Sequence, residues 1–232
     1  MANDVRTLKD HLSLTERVYA TLREMILNME LPPGTRLKDI DLAQRLGVSN
    51  TPLREAMRLL AADSLVETIP RRGTVVKTLS AEESGLLYEI REALEVLATR
   101  LAAVRAAPES LRQIMEVAES HQRAVGQRHL HEYLDLDRRF HGLIAEASQN
   151  PILVSMLSMI ADRIHIVRRL TSNLEKDVLT GNEHHEIAEA LVGRDEEKAA
   201  ALMQQHIRRH GERVRLYLAA GEGVAAKGPA AG

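Results

Sequence analysis

Apolar residues recur three or four positions apart along almost the whole chain, the spacing of one helix face, and the rhythm breaks convincingly only once. The break is Leu65-Val66-Glu67-Thr68-Ile69 and Thr74-Val75-Val76-Lys77, two short runs rich in β-branched residues. Between them lies Pro70-Arg71-Arg72-Gly73, so the segment reads as a β-hairpin with a basic tip, the only convincing strand pair in the sequence. The fold class that follows is mainly α.

Ahead of the hairpin the punctuation marks three helices. Ser13-Leu14-Thr15-Glu16 reads as a capping box, followed by an apolar stripe of Val18, Leu22, Ile26 and Leu27. Leu31-Pro32-Pro33-Gly34 ends that helix. A short one follows, with Ile40, Leu42, Ala43 and Leu46 apolar and Gly47 as a left-handed cap. A third starts near Thr51-Pro52 and runs to about Asp63. Three helices and a hairpin over residues 13–78 suggest a winged helix-turn-helix, with residues 1–12 a flexible N-terminus.

Behind the hairpin the spacing predicts six helical stretches, about 80–105, 108–127, 129–148, 150–171, 173–192 and 195–219. Pro108, Gly126, Asn150-Pro151, Thr171-Ser172 and Gly193 separate them, and such short connections imply antiparallel neighbours in a bundle. The all-helical domain therefore spans 79–220, with the boundary at Leu79-Ser80, and the Gly/Ala/Pro-rich tail 221–232 is expected to be disordered.

Composition removes several functions. There is no cysteine, hence no disulfide, thiolate site or cysteine nucleophile. One Phe, four Tyr and no Trp leave little for stacking on single-stranded nucleic acid. No apolar run is long enough to span a bilayer, and Met1 to His11 lacks the apolar core of a leader, so a cytoplasmic protein without membrane contact is expected. The net charge is -2, but residues 1–78 carry 12 basic and 10 acidic residues against 19 and 23 in the remainder, which points to the front as the partner of a polyanion.

In a winged helix-turn-helix the second helix braces the third, whose N-terminal side chains face base edges in the major groove. Here those are Ser49, Asn50, Thr51 and Arg54, with Arg45 in reach of the backbone. Arg71 and Arg72 at the hairpin tip suit a phosphate row or a narrow minor groove, and Gly73 permits close approach. Spacing alone leaves a protein-docking module as the alternative. Four segments resemble the GntR family of bacterial transcription regulators: Leu31-Pro32-Pro33-Gly34-Thr35-Arg36-Leu37, Leu42-Ala43-Gln44-Arg45-Leu46-Gly47-Val48-Ser49, Thr51-Pro52-Leu53-Arg54-Glu55-Ala56, and Leu65-Val66 with Arg72-Gly73. The resemblance implies binding to double-stranded operator DNA. Three positions depart from the family pattern: Ser64 stands where glycine is usual, and Asn50 and Ile40 where arginine is frequent. Asn pairs with adenine where Arg prefers guanine, so a shifted operator preference, or weaker binding, is expected at the base facing Asn50.

In the back domain the histidines carry the chemistry. Asp137 and His141 are four apart, on a helix face that Leu134 and Ile144 mark as inward. His184 shares the face of Ile187 and Leu191, and His206 that of Leu202 and Met203. Three helices thus offer Asp137, His141, His184 and His206 to one interior, a donor set suited to zinc, with nickel or manganese as alternatives. A hydrogen-bonded core cluster is the competing reading. His210 is one turn past His206 and is a competitor for its place, while His165 stands near Arg168 on the fourth helix as a candidate pocket group. His121, His129 and His131 read as solvated. Arg91 points inward with Leu87, Leu94 and Ala98, either as a clamp for a carboxylate or as the partner of a core acid.

This half resembles the FCD effector domain of the FadR-type branch of GntR regulators, its six helices matching the VanR-like subgroup. The residues that carry this are Asp137-x-x-Phe140-His141, Asn150-Pro151, Glu183-His184-x-x-Ile187 and the step from His184 to His206. It implies a metal held by Asp137, His141, His184 and His206, and a small carboxylic acid effector on its open positions, with Arg91 a contact in Tyr88-x-x-Arg91-x-x-Leu94-Glu95. Candidate effector contacts are accordingly Arg91, His165 and Arg168. The leading expectation is a ligand-responsive homodimeric repressor on a palindromic operator. Two alternatives stand beside it: a regulator whose metal is purely structural, and a metal-dependent hydrolase. The hydrolase is disfavoured because His185-Glu186-Ile187-Ala188 is followed by Glu189 rather than a second histidine, so no enzyme is expected.

Overall fold

The computed structural model describes residues 13–127, 129–171 and 179–221. Residues 1–12, 128, 172–178, which include the start of the helix expected over 173–192, and the tail from Glu222 lie outside the described residues. The chain divides into two compact units between Thr78 and Leu79.

The front unit runs α1 (Leu14–Leu27), β1 (Arg36–Leu37), α2 (Asp39–Leu46), α3 (Asn50–Ala62), β2 (Val66–Ile69) and β3 (Gly73–Val76). The capping box is present: Ser13 Oγ accepts from the Glu16 amide at 3.2 Å, and Glu16 Oε2 accepts from the Ser13 amide at 2.7 Å. Gly47 closes α2 at φ 65. Leu22, Ile26, Leu53, Leu60, Leu65 and Val76 form the buried centre. The hairpin pairs Ile69 with Gly73 beside its turn, but it is not alone. β1 joins the other edge of β3, giving an antiparallel sheet in the order β1-β3-β2. Two residues are too few to show alternation in sequence. What makes β1 a strand is the edge of β3, where Gly34 donates to the Val76 carbonyl at 2.8 Å and the Val76 amide to that of Thr35 at 2.9 Å. Ser64, at the usual glycine position, enters the hairpin at φ 57, a left-handed conformation that glycine adopts without steric cost.

The back unit is α4 (Ala81–Arg105), α5 (Pro108–Gln127), α6 (Leu130–Ala147), α7 (Pro151–Thr171), α8 (Leu179–Val192) and α9 (Glu196–Ala219). Ser80 and Glu83 build a second capping box at the start of α4. Asn150 Oδ1 accepts from the Leu153 amide at 3.2 Å at the head of α7, and Asp195 caps α9 through the Lys198 amide at 3.1 Å. α4 packs along α9 and touches α6 and α7, while α5 packs on α6 and α8. The approach of α9 to α4 depends on Gly211, where a Cβ would stand 3.0 Å from Tyr88 Cβ. Phe140, Ile144, Leu191 and Ile207 are fully buried at the centre of the bundle. Among the described residues no helix is long and apolar enough to cross a membrane.

Candidate functional site

In the front unit the candidate DNA contacts are all solvent-facing. Ser49 precedes α3, Asn50 and Thr51 open it, and all three are exposed. One turn on, Arg54 is 68 % exposed with its Nε 3.0 Å from Asp39 Oδ2 on α2. Arg45 lies 3.3 Å from Glu30. Exposed pairs of this kind are worth about 0–1 kcal/mol, so a phosphate or base edge can replace the carboxylate. Arg71 at φ 65 and Gly73 at φ 79 turn the hairpin, with Arg71, Arg72 and Gly73 all exposed. Ile40 is also exposed, at 76 %.

In the back unit four side chains meet as the spacing predicts. Asp137 and His141 come from α6, His184 from α8 and His206 from α9, and one donor atom of each lies within 4.8 Å of the others. Asp137 Oδ1 is 3.7 Å from His141 Nε2 and 3.5 Å from His184 Nε2, and the Nε2 atoms of His184 and His206 are 3.3 Å apart. Donors 2.0–2.2 Å from one ion stand about 2.8–3.6 Å apart at octahedral or tetrahedral angles, so these separations come within small side-chain adjustments of a shared cation.

The outer nitrogens are held by carboxylates. His206 Nδ1 is 2.8 Å from Glu183 Oε2, and His141 Nδ1 hydrogen-bonds Glu95 Oε2. A neutral ring that donates its Nδ1–H to the carboxylate keeps the Nε2 lone pair facing the centre, the arrangement that raises the basicity of a metal-ligating imidazole. Protonation follows the surroundings. Burial, with His210 and His141 nearby, pushes His206 down to about 3. Burial, then the neighbouring His121 and His206, holds His184 far below its usual range. Burial works against the charge of Asp137, but Arg168, His141 and His184 together hold its carboxyl well below the ordinary value. His141 is the exception, since Glu95 lifts it above its ordinary value despite burial, and it must lose a proton to bind a cation.

Beside this cluster lies a cavity of about 260 Å3 with Arg91, Glu95, Asp137, His141, His165 and Arg168 in its wall. All three candidate effector contacts line it. Arg91 is 2 % exposed and its Nε donates to Glu95 Oε1 at 2.5 Å, while its Nη1 is buried without a hydrogen-bond partner. Arg168 is committed to Asp137 Oδ1 and to the Tyr133 hydroxyl, each at 2.9 Å. His165 is buried at 6 %.

Three features depart from the sequence expectation or were not assigned by it. His121 is not solvated but fully buried, its ring 4.7 Å from Tyr133 and 4.2 Å from His184, because Val117, Ala118, His121 and Ala124 make the inward face of α5. Glu95 is the core acid that holds both Arg91 and His141, and its signal was the four-residue step from Arg91. Burial works against its charge, yet Arg91 and His141 bring it down to about 2. Glu183 is the carboxylate behind His206, and His210 joins it with Nε2 at 3.6 Å. His129 and His131 are exposed.

Residues 14–76 match the family of bacterial regulatory proteins, gntR family, and residues 86–209 match the FCD domain. YdhC of Bacillus subtilis (strain 168), named as an HTH-type transcriptional regulator, is 33 % identical over 196 residues, covering 83 % of this chain and 85 % of that protein. The Nta operon transcriptional regulator of Aminobacter aminovorans is 31 % identical over 194 residues, 82 % of this chain and 89 % of its own. The solved structure of E. coli McbR/YncC shares the fold, with a TM-score of 0.76 at 24 % identity over 89 % of this chain and 99 % of that one. With eight solvent-facing candidate contacts on its winged head and a helical domain following it in sequence, the chain belongs to the GntR family of DNA-binding transcription regulators, with an FCD domain, and is not an enzyme.

Proposed function

We propose that the protein is a cytoplasmic repressor that binds a palindromic operator as a homodimer and releases it when a small carboxylic acid enters the metal-loaded helical domain. The observation that carries the sensor reading is that Asp137 and His141 belong both to the four-donor cluster and to the wall of the Arg91 cavity. Zinc suits a set of imidazoles and one carboxylate, with nickel and manganese next. When bound, the ion supplies positive charge and open positions for a carboxylate. Arg91 offers a bidentate fork to the same ligand, and His165 and Arg168 complete the polar wall. In the front unit Ser49, Asn50, Thr51 and Arg54 read bases, while Arg45, Arg71, Arg72 and the backbone at Gly73 meet phosphates or the minor groove.

A palindrome needs two heads. On α4, Leu86, Ile90, Leu97 and Val104 are 56, 55, 44 and 66 % exposed, spaced by four and seven residues as in a coiled-coil seam. A second copy presents the same seam, so we assign the dimer contact to it. The opposite side of α4 carries Arg91 and Glu95, and only residues 77–80 join that helix to β3. A ligand-driven population shift in α4 is thereby fed to the head through a four-residue link.

The test starts from protein purified without added metal, with elemental analysis and then anisotropy of an operator fragment against a panel of small acids. The expected result is near-stoichiometric metal, and an acid that weakens operator binding only in loaded protein and not in Arg91→Ala. The engagement of Arg91 by Glu95 favours a second reading, in which the ion only staples the bundle. In that case Arg91→Ala responds to acids as the wild type does.

A further inference from the structure

The His206 ring meets polar groups on both of its edges. Its Nε2 stands 3.3 Å from His184 Nε2, inside the four-donor cluster, and its Nδ1 stands 2.8 Å from Glu183 Oε2. Those two neighbours are consecutive on α8, so the helical turn of about 100° per residue sends one to each side of the ring. On α9, His210 follows His206 by four residues, which puts both on one face, and their ring centroids are 4.6 Å apart. His210 is 1 % exposed, with its Nε2 3.6 Å from the same Glu183 oxygen. One donor atom each of Glu183, His206 and His210 lies within 4.8 Å of the others. The separations from Glu183 Oε2, 2.8 and 3.6 Å, fall in the range of about 2.8–3.6 Å that donors of one ion keep at octahedral or tetrahedral angles.

The geometry points to a second cation station on the outer side of His206, built from Glu183, His206 Nδ1 and His210, for a divalent ion of the zinc and cobalt class. Two imidazoles and one carboxylate suit such an ion, with water in the remaining positions. Arg209 pairs with the other oxygen of Glu183, and with its side chain 36 % exposed it can turn to solvent when an ion arrives. The inner cluster uses the opposite nitrogen of the same ring. A neutral imidazole carries one proton and offers one lone pair. With the proton on Nδ1, bonded to Glu183, the ring serves the inner ion. With the proton on Nε2, where His184 Nε2 at 3.3 Å can accept it, the ring serves the outer one. On the neutral ring the two stations therefore exclude each other. The inner set, with four protein donors against three, holds the ion in the intact protein, and the outer station takes it when the inner set is incomplete. This extends the metal reading of the cluster and does not depend on the carboxylic acid.

The experiment titrates cobalt into the metal-free full chain and reads the visible absorption of the bound ion. Asp137→Asn with His141→Gln removes two inner donors and leaves Glu183, His206 and His210 in place. That variant is expected to keep a near-stoichiometric cobalt site, weaker than that of the wild type, and to lose it when His210→Gln is added. In the wild-type background His210→Gln is expected to leave cobalt affinity unchanged, because His210 is not an inner donor. If the first inner variant does not keep the helical circular dichroism of the wild type, His141→Gln with His184→Gln takes its place. A folded inner variant that binds no cobalt overturns the outer station, as does one whose cobalt survives His210→Gln. Loss of cobalt from the His210→Gln single variant also overturns it, since His210 would then support the inner cluster. A wild type that binds no cobalt overturns the inner metal reading and this inference together.

Discussion

Glu183 Oε2 lies 2.8 Å from Nδ1 of His206, while the other ring nitrogen of that histidine faces the donor cluster, 3.3 Å from His184 Nε2. The carboxylate fixes which nitrogen carries the proton and so keeps a lone pair aimed at the ion. Glu183→Gln can still accept a hydrogen bond but brings no charge to the ring. Zinc affinity, read by competition with a chromophoric chelator, should fall about 10–100-fold while the helical circular dichroism stays as in the wild type. Unchanged zinc affinity would remove Glu183 from the metal site.

Acid should destabilise the metal-free protein in a window set by the buried imidazoles. His206 is held down to about 3 in the folded chain, whereas unfolded it titrates near 6.5. Between these values the unfolded state binds a proton that the folded state refuses. Its contribution to stability is complete above about pH 6.5 and is lost as pH falls towards 3, by about 1.4 kcal/mol per pH unit. His184 is shifted the same way and adds to the slope. His141 is shifted upwards, and its contribution is present below its unfolded value and lost as pH rises through the folded one. Urea titrations from pH 7 to 5 should show stability falling with pH, and His206→Gln should flatten that slope by about one proton. An equal slope in the variant would mean that His206 is not held neutral.

Operator reading should divide between Arg54 and Asn50. Arg54→Ala is expected to cost about 1–3 kcal/mol at fixed salt on an operator recovered by binding-site selection. Selection with the wild type should return adenine opposite Asn50, and with Asn50→Arg it should return guanine there. A wild type that selects guanine, together with an Asn50→Ala variant that binds like it, would dismiss Asn50 as a base contact.

Ser64 offers a stability test unconnected with either site. At φ 57 a side chain costs about 1–2 kcal/mol, which glycine avoids at about 0.5–1 kcal/mol of extra chain entropy. Ser64→Gly should therefore raise the stability of the front unit by about 0.5–1 kcal/mol in chemical denaturation, with operator affinity unchanged. A destabilised variant would show that the serine hydroxyl contributes more than the backbone loses.

Much of this molecule was legible from periodicity because most of its helices must bury a stripe, and a stripe shows in sequence. Gly47 and the Ser13–Glu16 box were equally legible, since caps depend on their own few residues. β1 was not, because its register is imposed by β3 from another part of the chain. Asp137, His141, His184 and His206 each sit among apolar neighbours at helical spacing, which points them inward one by one. That they meet is a property of three helices together: the inward faces pointed to a shared interior, and the family resemblance added the expectation of an ion there. His121 shows the limit of reading residues by proximity to a helix end, because the stripe from Val117 to Ala124 continues through it. Glu95 and Glu183 escaped assignment because a carboxylate four residues from Arg91, or next to His184, is equally at home in solvent.

Glu95 has the last consequence. One oxygen holds Arg91 and the other holds the outer nitrogen of His141, so a single buried carboxylate is shared by the ion's ligand set and the acid's clamp. Whatever reorients it for one guest alters the welcome of the other, and thermodynamic reciprocity makes the effect equal in both directions. On the sensor reading the domain answers to neither guest singly but to their coincidence. Where free metal is scarce the acid recruits the ion, and where the acid is scarce the ion lowers the concentration at which it is noticed.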